Sequence, residues 1–265
     1  MGKRMAKSST SKRPVGPRRK AAPPVAVVTG GGTGLGRASA TRLSHDGFTV
    51  AVLGRRATRL KAKRGESLHA YPCDISDRDQ VRMTVDAIRA DLGGIDVLFN
   101  CAGVFREVPI IKTTPEQIDH LIGINLVGTI NMTVACVPAL KKSKGTIINM
   151  SSALTARPYE GISLYCASKG GVEAYTRALA VELARFGVRA NVILPGLVRS
   201  EIFAAEGWSE KMLETELRRW GKTYPLGRAG EPEDIAGLVS YLASKDASWV
   251  TGVSIPVEGG KIVGG

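Results

Sequence analysis

The segment VAVVTGGGTGLGRA, residues 25–38, decides the fold class of this 265-residue chain. Its first five residues are a short apolar run rich in valine, which is typical of a buried strand. Glycines follow at once, and a helical sequence begins within a few residues. A strand, a glycine-rich turn and a helix in this order predict a cradle for a pyrophosphate group, which accepts hydrogen bonds from the helix N-terminus.

Further apolar runs continue the pattern along the chain. They cover residues 48–53, 67–73, 95–100, 145–150, 188–194 and 252–257. Amphipathic helical spacings lie between them, such as the one that begins at Val81 and the one that follows the acidic, proline-started turn at residues 231–234. Short strands that are apolar on both faces and alternate with helices predict an α/β, doubly wound fold, in which a parallel seven-stranded sheet carries helices on both faces.

Residues 25–265 have the length of one α/β domain, so we expect a single catalytic domain there. The stretch 197–230 departs from the alternation of strands and helices and contains Trp208, Trp220 and Tyr224. Long connections in compact domains are usually functional, so this stretch is expected to be a substrate lid. An additional packed helix is the alternative.

The first 24 residues are set apart by their charge. The chain has a formal net charge of +13, and residues 1–24 hold eight basic residues and no acid, which leaves +5 for the remainder. A polar, basic stretch without apolar periodicity predicts a disordered tail. Three interpretations of this tail compete: a solvated extension, an organelle transit segment or an anion-binding arm. Under the third interpretation, a competing function of the protein is that of a nucleotide-sensing or nucleic-acid-binding scaffold. We expect no membrane partner, because no run of 18 apolar residues occurs.

The cysteines and histidines form no recognisable site. The four cysteines contain no CxxC pair, and the three histidines do not cluster. This spacing argues against a structural zinc ion and against a disulfide framework. We therefore expect no metal and a cytoplasmic location, where thiols stay reduced.

The segment LYCASKGG, residues 164–171, places Tyr165 four residues before Lys169. On a helix this spacing brings the two side chains to one face. A nearby cation favours the phenolate and would lower the pKa of Tyr165 toward the neutral range, where a phenol can act as an acid or base. The two glycines that follow are expected to let the helix pack closely against a neighbour.

The order of these motifs resembles that of the short-chain dehydrogenase/reductase family in its single-domain form, over about residues 25–260. The glycine turn resembles the TGxxxGxG loop, and Tyr165 with Lys169 resembles the YxxxK motif. Further matches are Asp74, the segment Asn100-Cys101-Ala102-Gly103, Asn125, Ser152 and Pro195-Gly196. Cys101 departs from the family's usual second asparagine, and Glu258 stands where an aspartate is common.

The resemblance implies a Rossmann-type oxidoreductase that transfers hydride between a nicotinamide cofactor and a small carbonyl or secondary alcohol substrate. Tyr165 would be the general acid/base, Lys169 would lower its pKa, Ser152 would bind the substrate oxygen, and Asn125 would hold a water next to Lys169. Ser151 and Ser163 are alternatives to Ser152 for binding the substrate oxygen. The interval between Ser152 and Tyr165 favours Ser152. The implied cofactor-binding residues are Gly30, Thr33, Gly34, Leu35, Gly36, Arg55, Arg56, Asp74, Asn100, Ala102, Gly103, Tyr165, Lys169, Pro195 and Gly196.

The end of the second strand indicates which nucleotide is bound. An acid there binds the ribose 2′-hydroxyl of NAD(H), whereas a basic residue accommodates the 2′-phosphate of NADP(H). This chain has Gly54-Arg55-Arg56 at that point. We therefore expect NADP(H) to be preferred, with NAD(H) as the alternative, while Thr33 stands where many NADP-binding relatives carry a second basic residue.

Substrate and assembly are less defined by the sequence. A 3-oxoacyl thioester is one alternative substrate, because the run Lys141-Lys142-Ser143-Lys144 would attract an acidic carrier protein. The aromatic residues of 197–230 favour an apolar substrate, whereas Arg199, Arg218 and Arg219 would meet an acid. The complete set of four catalytic groups favours an enzyme over a nucleic-acid-binding scaffold. The resemblance implies a homotetramer or homodimer joined through the helices that contain Asn125 and Tyr165.

Overall fold

The computed structural model describes residues 22–264, so residues 1–21 of the predicted tail lie outside the described chain. Within that range the strands are β1 Val25–Thr29, β2 Thr49–Gly54, β3 Leu68–Pro72, β4 Val97–Asn100, β5 Thr146–Met150, β6 Arg189–Pro195 and β7 Ser254–Val257. They form one parallel sheet in the order β3-β2-β1-β4-β5-β6-β7. The predicted doubly wound, seven-stranded parallel sheet is confirmed.

The α-helices of the described chain are α1 Gly34–His45, α2 Arg78–Leu92, α3 Pro115–Ile122, α4 Gly128–Ser143, α5 Ser163–Ala184, α6 Glu210–Gly221 and α7 Pro232–Ala243. Local sequence fixes several of their starts. Asp77 accepts hydrogen bonds from the first turn of α2, and α7 begins with Pro232 inside a capping box of Glu231 and Asp234. These side chains satisfy amide groups that have no partner within the helix.

The helices cover both faces of the sheet. Alternate residues of β1 point to opposite sides, because side chains alternate along a strand. Val27 belongs to a buried cluster with α2, α4 and α5, and Val28 belongs to a second cluster with α1 and α7. The core therefore consists of two apolar layers, one on each face of the sheet.

The helical stretch Pro115–Ser143 is long and apolar enough to cross a membrane by length and composition alone. It consists of α3, a π-helical turn at Gly123–Val127, and α4. Met132, Cys136 and Leu140 on this stretch are completely buried in the layer that covers the sheet. Packing in that layer accounts for its apolar composition.

Two connections differ in structure from the regular alternation. Between β2 and β3 the chain makes only a 3-10 turn at Ala57–Arg59. The stretch 197–230 contains a 3-10 segment at Glu201–Glu206 and the helix α6, of which only Leu217 and Gly221 are buried. The backbone thus shows the additional helix, and the role of this stretch as a substrate lid stays a prediction.

Candidate active site

The candidate site lies at the carboxyl ends of the central strands, beside the point where the strand order reverses. The chain leaves β1 toward β2 on one side, whereas β4 lies on the other side of β1. Connections that run in opposite directions from neighbouring strands leave a crevice between them. The predicted glycine turn and the segment after β4 form the two walls of this crevice.

Two glycines of the turn, Gly30 and Gly36, have no room for a side chain. Gly30 has φ +67°, and a Cβ there would lie 3.0 Å from the backbone of Ala102. A Cβ at Gly36 would collide with the carbonyl oxygen of Gly30. The first glycine is therefore required by backbone conformation and close approach, and the last by contact between the helix and the turn.

The N-terminus of α1 offers amide donors beside this turn. Thr33 is the N-cap residue, and its side chain makes no hydrogen bond to the first turn of α1. Amides at Gly34, Leu35 and Gly36 lie in that turn, where the helix dipole favours an anion. Ser200, which we did not predict, lies nearby, because its hydroxyl is 3.4 Å from the position of a Cβ on Gly34.

A buried threonine ties the two walls of the crevice together. The Thr29 hydroxyl oxygen at the end of β1 accepts hydrogen bonds from the backbone amides of Cys101 and Ala102, each at 3.0 Å. Thr29 is completely buried. It holds the segment after β4 against the glycine turn. Sequence reasoning missed it, although a polar residue that ends an apolar strand was a signal.

Asn100 has a different place from the one that its motif suggested. Its side-chain amide nitrogen donates to Asn149 Oδ1 at 2.9 Å and to Thr133 Oγ1 at 3.2 Å, beneath the crevice. Asn149 in turn donates to Thr176 Oγ1. The Asn100 amide nitrogen therefore belongs to a buried polar network that joins β4, β5 and α5, while its Oδ1 has no partner in the part of the chain that the structure describes.

Asn125 lies in the π-helical turn and is completely buried. Its Oδ1 accepts from the backbone amide of Val104 at 2.8 Å, and its Nδ2 donates to the Val104 carbonyl at 2.9 Å and to Ser168 Oγ at 3.0 Å. The amide thus holds the segment after β4 against α5. Asn125 Oδ1 accepts one hydrogen bond here and has a second lone pair, so the expected water-holding role stays a prediction.

Lys169 is brought next to Asn125. A Cβ on Gly103 would lie 3.1 Å from Asn125 Oδ1 and 3.2 Å from Lys169 Nζ, so only a glycine fits between the two side chains. Lys169 is 4% exposed, and its Nζ donates to the carbonyl oxygen of Met150 at 3.0 Å. Burial lowers the pKa of Lys169 to about 8, because the charged form loses its hydration.

Tyr165 and Ser152 form the remaining part of the site. Burial raises the pKa of Tyr165 to about 12, and a side-chain hydrogen bond with Ser152 acts in the opposite direction. This net rise differs from the expected lowering by Lys169. The reason is that Tyr165 is only 7% exposed and desolvation of the phenolate outweighs the other contributions.

The structure separates Ser152 from its rivals. Ser151 donates to Glu173 and Ser163 is exposed at the start of α5, whereas Ser152 is buried and bonds to Tyr165. The backbone amide of Leu154 donates to Ser152 Oγ at 3.2 Å, which leaves the hydroxyl proton for another acceptor. Of the three serines, the one chosen by its interval to Tyr165 is thus the one that bonds to Tyr165, and its role at the substrate oxygen stays a prediction.

Arg55 and Asp74 lie together at the end of β2 and β3. A hydrogen bond from the Ser76 hydroxyl lowers the pKa of Asp74, and the positive charge of Arg55 acts in the same direction. Arg55 is exposed. Arg56 lies 4.0 Å from Glu201, whose carboxylate receives two hydrogen bonds from Arg59 at 2.8 and 2.9 Å. Of the two predicted arginines, Arg56 is thus engaged by the 197–230 stretch.

Pro195 and Gly196 end β6 on the far side of the crevice. The Gly196 amide donates to the Val257 carbonyl at 3.0 Å, which continues the pairing between β6 and β7. A Cβ on Gly196 would lie 2.9 Å from Glu258. The predicted Pro195-Gly196 turn is therefore a close approach of two backbones, and it directs the chain toward Ser200.

Comparisons with known proteins agree with this geometry. A family model described as enoyl-(acyl carrier protein) reductase matches residues 30–261. A 3-oxoacyl-(acyl-carrier-protein) reductase from Thermotoga maritima is 34% identical over 246 residues, which cover 90% of this chain and 98% of that protein. The chain belongs to the short-chain dehydrogenase/reductase family. The predicted family is thereby confirmed.

Other members of the short-chain dehydrogenase/reductase family show the range of its reactions. A meso-2,3-butanediol dehydrogenase from Serratia marcescens is 34% identical, and the aligned region covers 89% of this chain and 93% of that protein. The ligand-free structure of an aldohexose dehydrogenase from Thermoplasma acidophilum has a TM-score of 0.85 at 28% identity, covering 92% of this chain and 96% of that chain. The protein is an oxidoreductase acting on CH–OH groups.

This short-chain dehydrogenase/reductase uses NAD(P)(H), and the residues in the crevice fit a dinucleotide. Side chains are excluded at Gly30 and Gly36, so the backbone can approach a pyrophosphate closely. The first turn of α1 presents amides that Thr33 does not cap. Gly103 leaves space next to Lys169 Nζ, where a polar part of the cofactor would be held.

Proposed function

We propose that the protein is an NADP(H)-dependent oxidoreductase that interconverts a carbonyl compound and a secondary alcohol, with Tyr165 as the general acid/base. One observation carries the proposal. Gly103 lies against Asn125 and Lys169, and Phe105, two residues on, packs against Tyr165, which bonds to Ser152. Three of the four predicted catalytic residues therefore contact one short segment after β4, and the fourth, Ser152, bonds to Tyr165.

The chemistry follows from these groups. NADP(H), when bound, supplies or accepts the hydride. In the direction of reduction, the Tyr165 hydroxyl donates its proton to the carbonyl oxygen. Ser152 donates a hydrogen bond to the same oxygen, where negative charge develops in the transition state.

The pKa values set the protonation states. A phenol whose pKa is about 12 stays protonated at neutral pH, which suits a proton donor. Lys169, with a pKa of about 8, is mostly charged at neutral pH and favours the phenolate that forms when Tyr165 gives up its proton. Asn125 holds the segment after β4 in place beside Lys169 through its two bonds to Val104.

The preference for NADP(H) is supported by Arg55. Gly54 ends β2 at the position where a carboxylate would repel a 2′-phosphate, and the guanidinium group of the exposed Arg55 that follows can donate two hydrogen bonds to such a group. Titration of the protein with NADPH and NADH separately, followed by nicotinamide fluorescence, tests the preference. We expect NADPH to bind at least about tenfold more tightly, which is about 1.4 kcal/mol.

Variants sharpen the cofactor test. Arg55→Asp is expected to abolish the preference, whereas Arg82→Asp, at an exposed arginine on α2, leaves it unchanged. Equal affinity of the wild-type protein for both nucleotides would contradict the NADP(H) assignment. An unchanged dissociation constant for NADPH in the Arg55→Asp variant would contradict the role of Arg55.

The substrate is expected to be apolar near its carbonyl group. Phe105 packs against Tyr165 with ring centroids 5.0 Å apart, and Phe203 packs against both Phe105 and Trp208. These rings form an aromatic wall from Tyr165 to the 197–230 stretch. The predicted acid-binding role of Arg199 is not favoured, because Arg199 already forms ion pairs with Glu214 and Glu231.

The other residues considered for the substrate lie elsewhere. Trp220 is 45% exposed on α6, and its indole N–H donates to Glu216. The Tyr224 hydroxyl accepts from the Leu197 amide at 3.0 Å, which is a structural contact. Arg218 and Arg219 pair with acids on their own helix. Of the three predicted aromatic residues, only Trp208 joins the aromatic wall.

A 3-oxoacyl thioester is the second candidate substrate, since one relative is a 3-oxoacyl-(acyl-carrier-protein) reductase. The proposed attraction of a carrier by Lys141, Lys142 and Lys144 is not supported. These residues end α4 and precede β5, so they lie at the amino edge of the sheet, opposite the site. Comparing NADPH oxidation with acetoacetyl-CoA and with 2,3-butanedione decides between a thioester and a small diketone.

Assembly and location follow from surface features. Val134 on α4 and Val181 on α5 are 64% and 80% exposed, which supports a homodimer or homotetramer joined through these helices. Light scattering of the wild-type protein and of Val181→Glu tests this.

All four cysteines are free, which supports a cytoplasmic location. Deleting residues 1–24 is expected to leave turnover unchanged. A loss of nucleic-acid affinity on deletion would support the interpretation of this tail as an anion-binding arm.

A further inference from the structure

Two hydroxyl side chains flank Ser152, and both donate to one carboxylate. Ser151 Oγ lies 2.7 Å from Glu173 Oε1, and Thr155 Oγ1 lies 2.7 Å from the same oxygen. Both hydroxyls also approach a backbone carbonyl, Ser151 that of Lys169 at 3.2 Å and Thr155 that of Ser152 at 2.8 Å. Each hydroxyl has a single proton, and the carboxylate is the stronger acceptor, so both protons are directed to Glu173.

Glu173 lies on the helix that carries the proposed acid. Tyr165, Lys169 and Glu173 follow each other at intervals of four residues on α5, which places them along one side of the helix. The carboxylate therefore fastens the segment that contains Ser152 to the helix that contains Tyr165. The backbone on each side of Ser152 is fixed by one of the two bonds.

We propose that Glu173 is a positioning residue that fixes the Ser152 hydroxyl relative to Tyr165. The proposal rests on the proposed function and extends it. Glu173 lies eight residues beyond Tyr165, or about 12 Å along the helix axis, so it does not touch the substrate oxygen. Its effect on turnover is transmitted by the geometry of the Ser152 segment.

A double-mutant cycle distinguishes positioning of Ser152 from a general contribution to folding. Glu173→Ala is expected to lower kcat by about tenfold to a hundredfold, the order expected when a catalytic group is displaced by about 1 Å. In a Ser152→Ala background the same change is expected to lower kcat by less than about threefold, because the group that it positions is already gone. The dissociation constant for NADPH is expected to stay the same.

Matched variants keep the test interpretable. Glu173→Gln retains an oxygen that accepts both hydrogen bonds, so its kcat is expected to stay close to that of the wild type. Thr155→Val removes one of the two hydrogen bonds to Glu173, together with the contact to the Ser152 carbonyl, and its smaller loss is also expected to vanish in the Ser152→Ala background. If Glu173→Ala does not fold, the comparison of Thr155→Val in the two backgrounds tests the proposal. Glu182→Ala, at an exposed carboxylate on the same helix, is the control.

Two results would overturn the role of Glu173. One is an equal loss from Glu173→Ala, or from Thr155→Val, in the presence and absence of the Ser152 hydroxyl, which indicates a structural contribution. The other is a kcat equal to that of the wild type in Glu173→Ala and in Thr155→Val. If Ser152→Ala alone had wild-type turnover, the proposed function would fail, and the role of Glu173 would fail with it.

Discussion

Replacing Lys169 by methionine is expected to stabilise the protein at neutral pH while removing a group that the proposed mechanism uses. Methionine has a similar length and no charge, so it fills the same buried space between Met150 and Gly103. Burial lowers the pKa of Lys169 from 10.5 to about 8. The charged form of Lys169 therefore has a higher free energy in the folded protein than in the unfolded chain, relative to the neutral form.

The size of the effect follows from this shift. One pKa unit corresponds to about 1.4 kcal/mol, so the charge of Lys169 destabilises the folded state by roughly 3 kcal/mol. The variant loses the hydrogen bond from Nζ to the Met150 carbonyl, which contributes about 1 kcal/mol. The net gain is about 2 kcal/mol, or a rise in Tm of roughly 4–8 °C for a protein of this size.

The pH dependence provides the sharper test. Below pH 8 the lysine is charged in both states, so the full difference between the two proteins is present. Between pH 8 and about 10.5 the folded state releases its proton first, so the wild type gains stability with pH and the difference disappears. We expect urea unfolding of both proteins from pH 7 to pH 10 to show this convergence.

The control for this experiment is Lys142→Met, at an exposed lysine, which is expected to change the free energy of unfolding by less than about 0.5 kcal/mol. A Lys169→Met variant that is less stable than the wild type at pH 7 would refute the reasoning. So would a difference in unfolding free energy that is the same at pH 7 and at pH 10.

Two further changes test the walls of the crevice by thermal unfolding. Gly36→Ala places a Cβ against the Gly30 carbonyl and is expected to destabilise the protein by about 1–3 kcal/mol, whereas Gly170→Ala, which meets no atom within 4 Å inside α5, is expected to stabilise it by up to about 1 kcal/mol. The reverse order of stabilities would show that the turn has relaxed. Thr29→Val removes the acceptor of two amides and is expected to cost about 2–3 kcal/mol, while Thr29→Ser retains most of the stability. Equal stability of the valine and serine variants would contradict the role of this hydroxyl.

The fold was predictable because local and long-range signals agree. The apolar runs that form the five inner strands β1, β2, β4, β5 and β6 are buried on both faces, as parallel strands between two helical layers must be, whereas the edge strands β3 and β7 are more exposed. The helix α7 begins at the proline and the acidic residues that marked its start. The stretch 197–230 was less predictable, because only Leu217 and Gly221 of α6 are buried and because α6 is followed by another helix, α7, where the alternation calls for a strand.

The segment LYCASKGG, residues 164–171, shows where sequence reasoning about the site reaches its limit. Both glycines after Lys169 were expected to allow close packing. A Cβ on Gly171 would lie 3.0 Å from the Leu126 side chain, which agrees, whereas Gly170 faces open space, so that expectation was wrong for Gly170. Helical spacing predicts which residues share a face, but the neighbour that each one meets depends on the packing of distant segments.

The same limit applies to the polar residues. A motif identified Asn100, but the partners that draw its side chain into the interior, Asn149 and Thr133, come from other strands and helices. Thr29 and Glu173 were missed because each acts through residues far away in sequence. The net pKa shift of Tyr165 likewise depends on burial, which no spacing within one helix reveals.

The central claim is tested most directly by the turnover of a Tyr165→Phe variant with NADPH and whichever carbonyl compound the wild type reduces fastest. Phenylalanine keeps the packing against Phe105 and removes only the hydroxyl. We predict that kcat falls by about a hundredfold or more, and that Tyr241→Phe, at a partly exposed tyrosine on α7, behaves as wild type. A Tyr165→Phe variant whose kcat stays within about tenfold of the wild type would contradict the assignment of Tyr165 as the general acid/base.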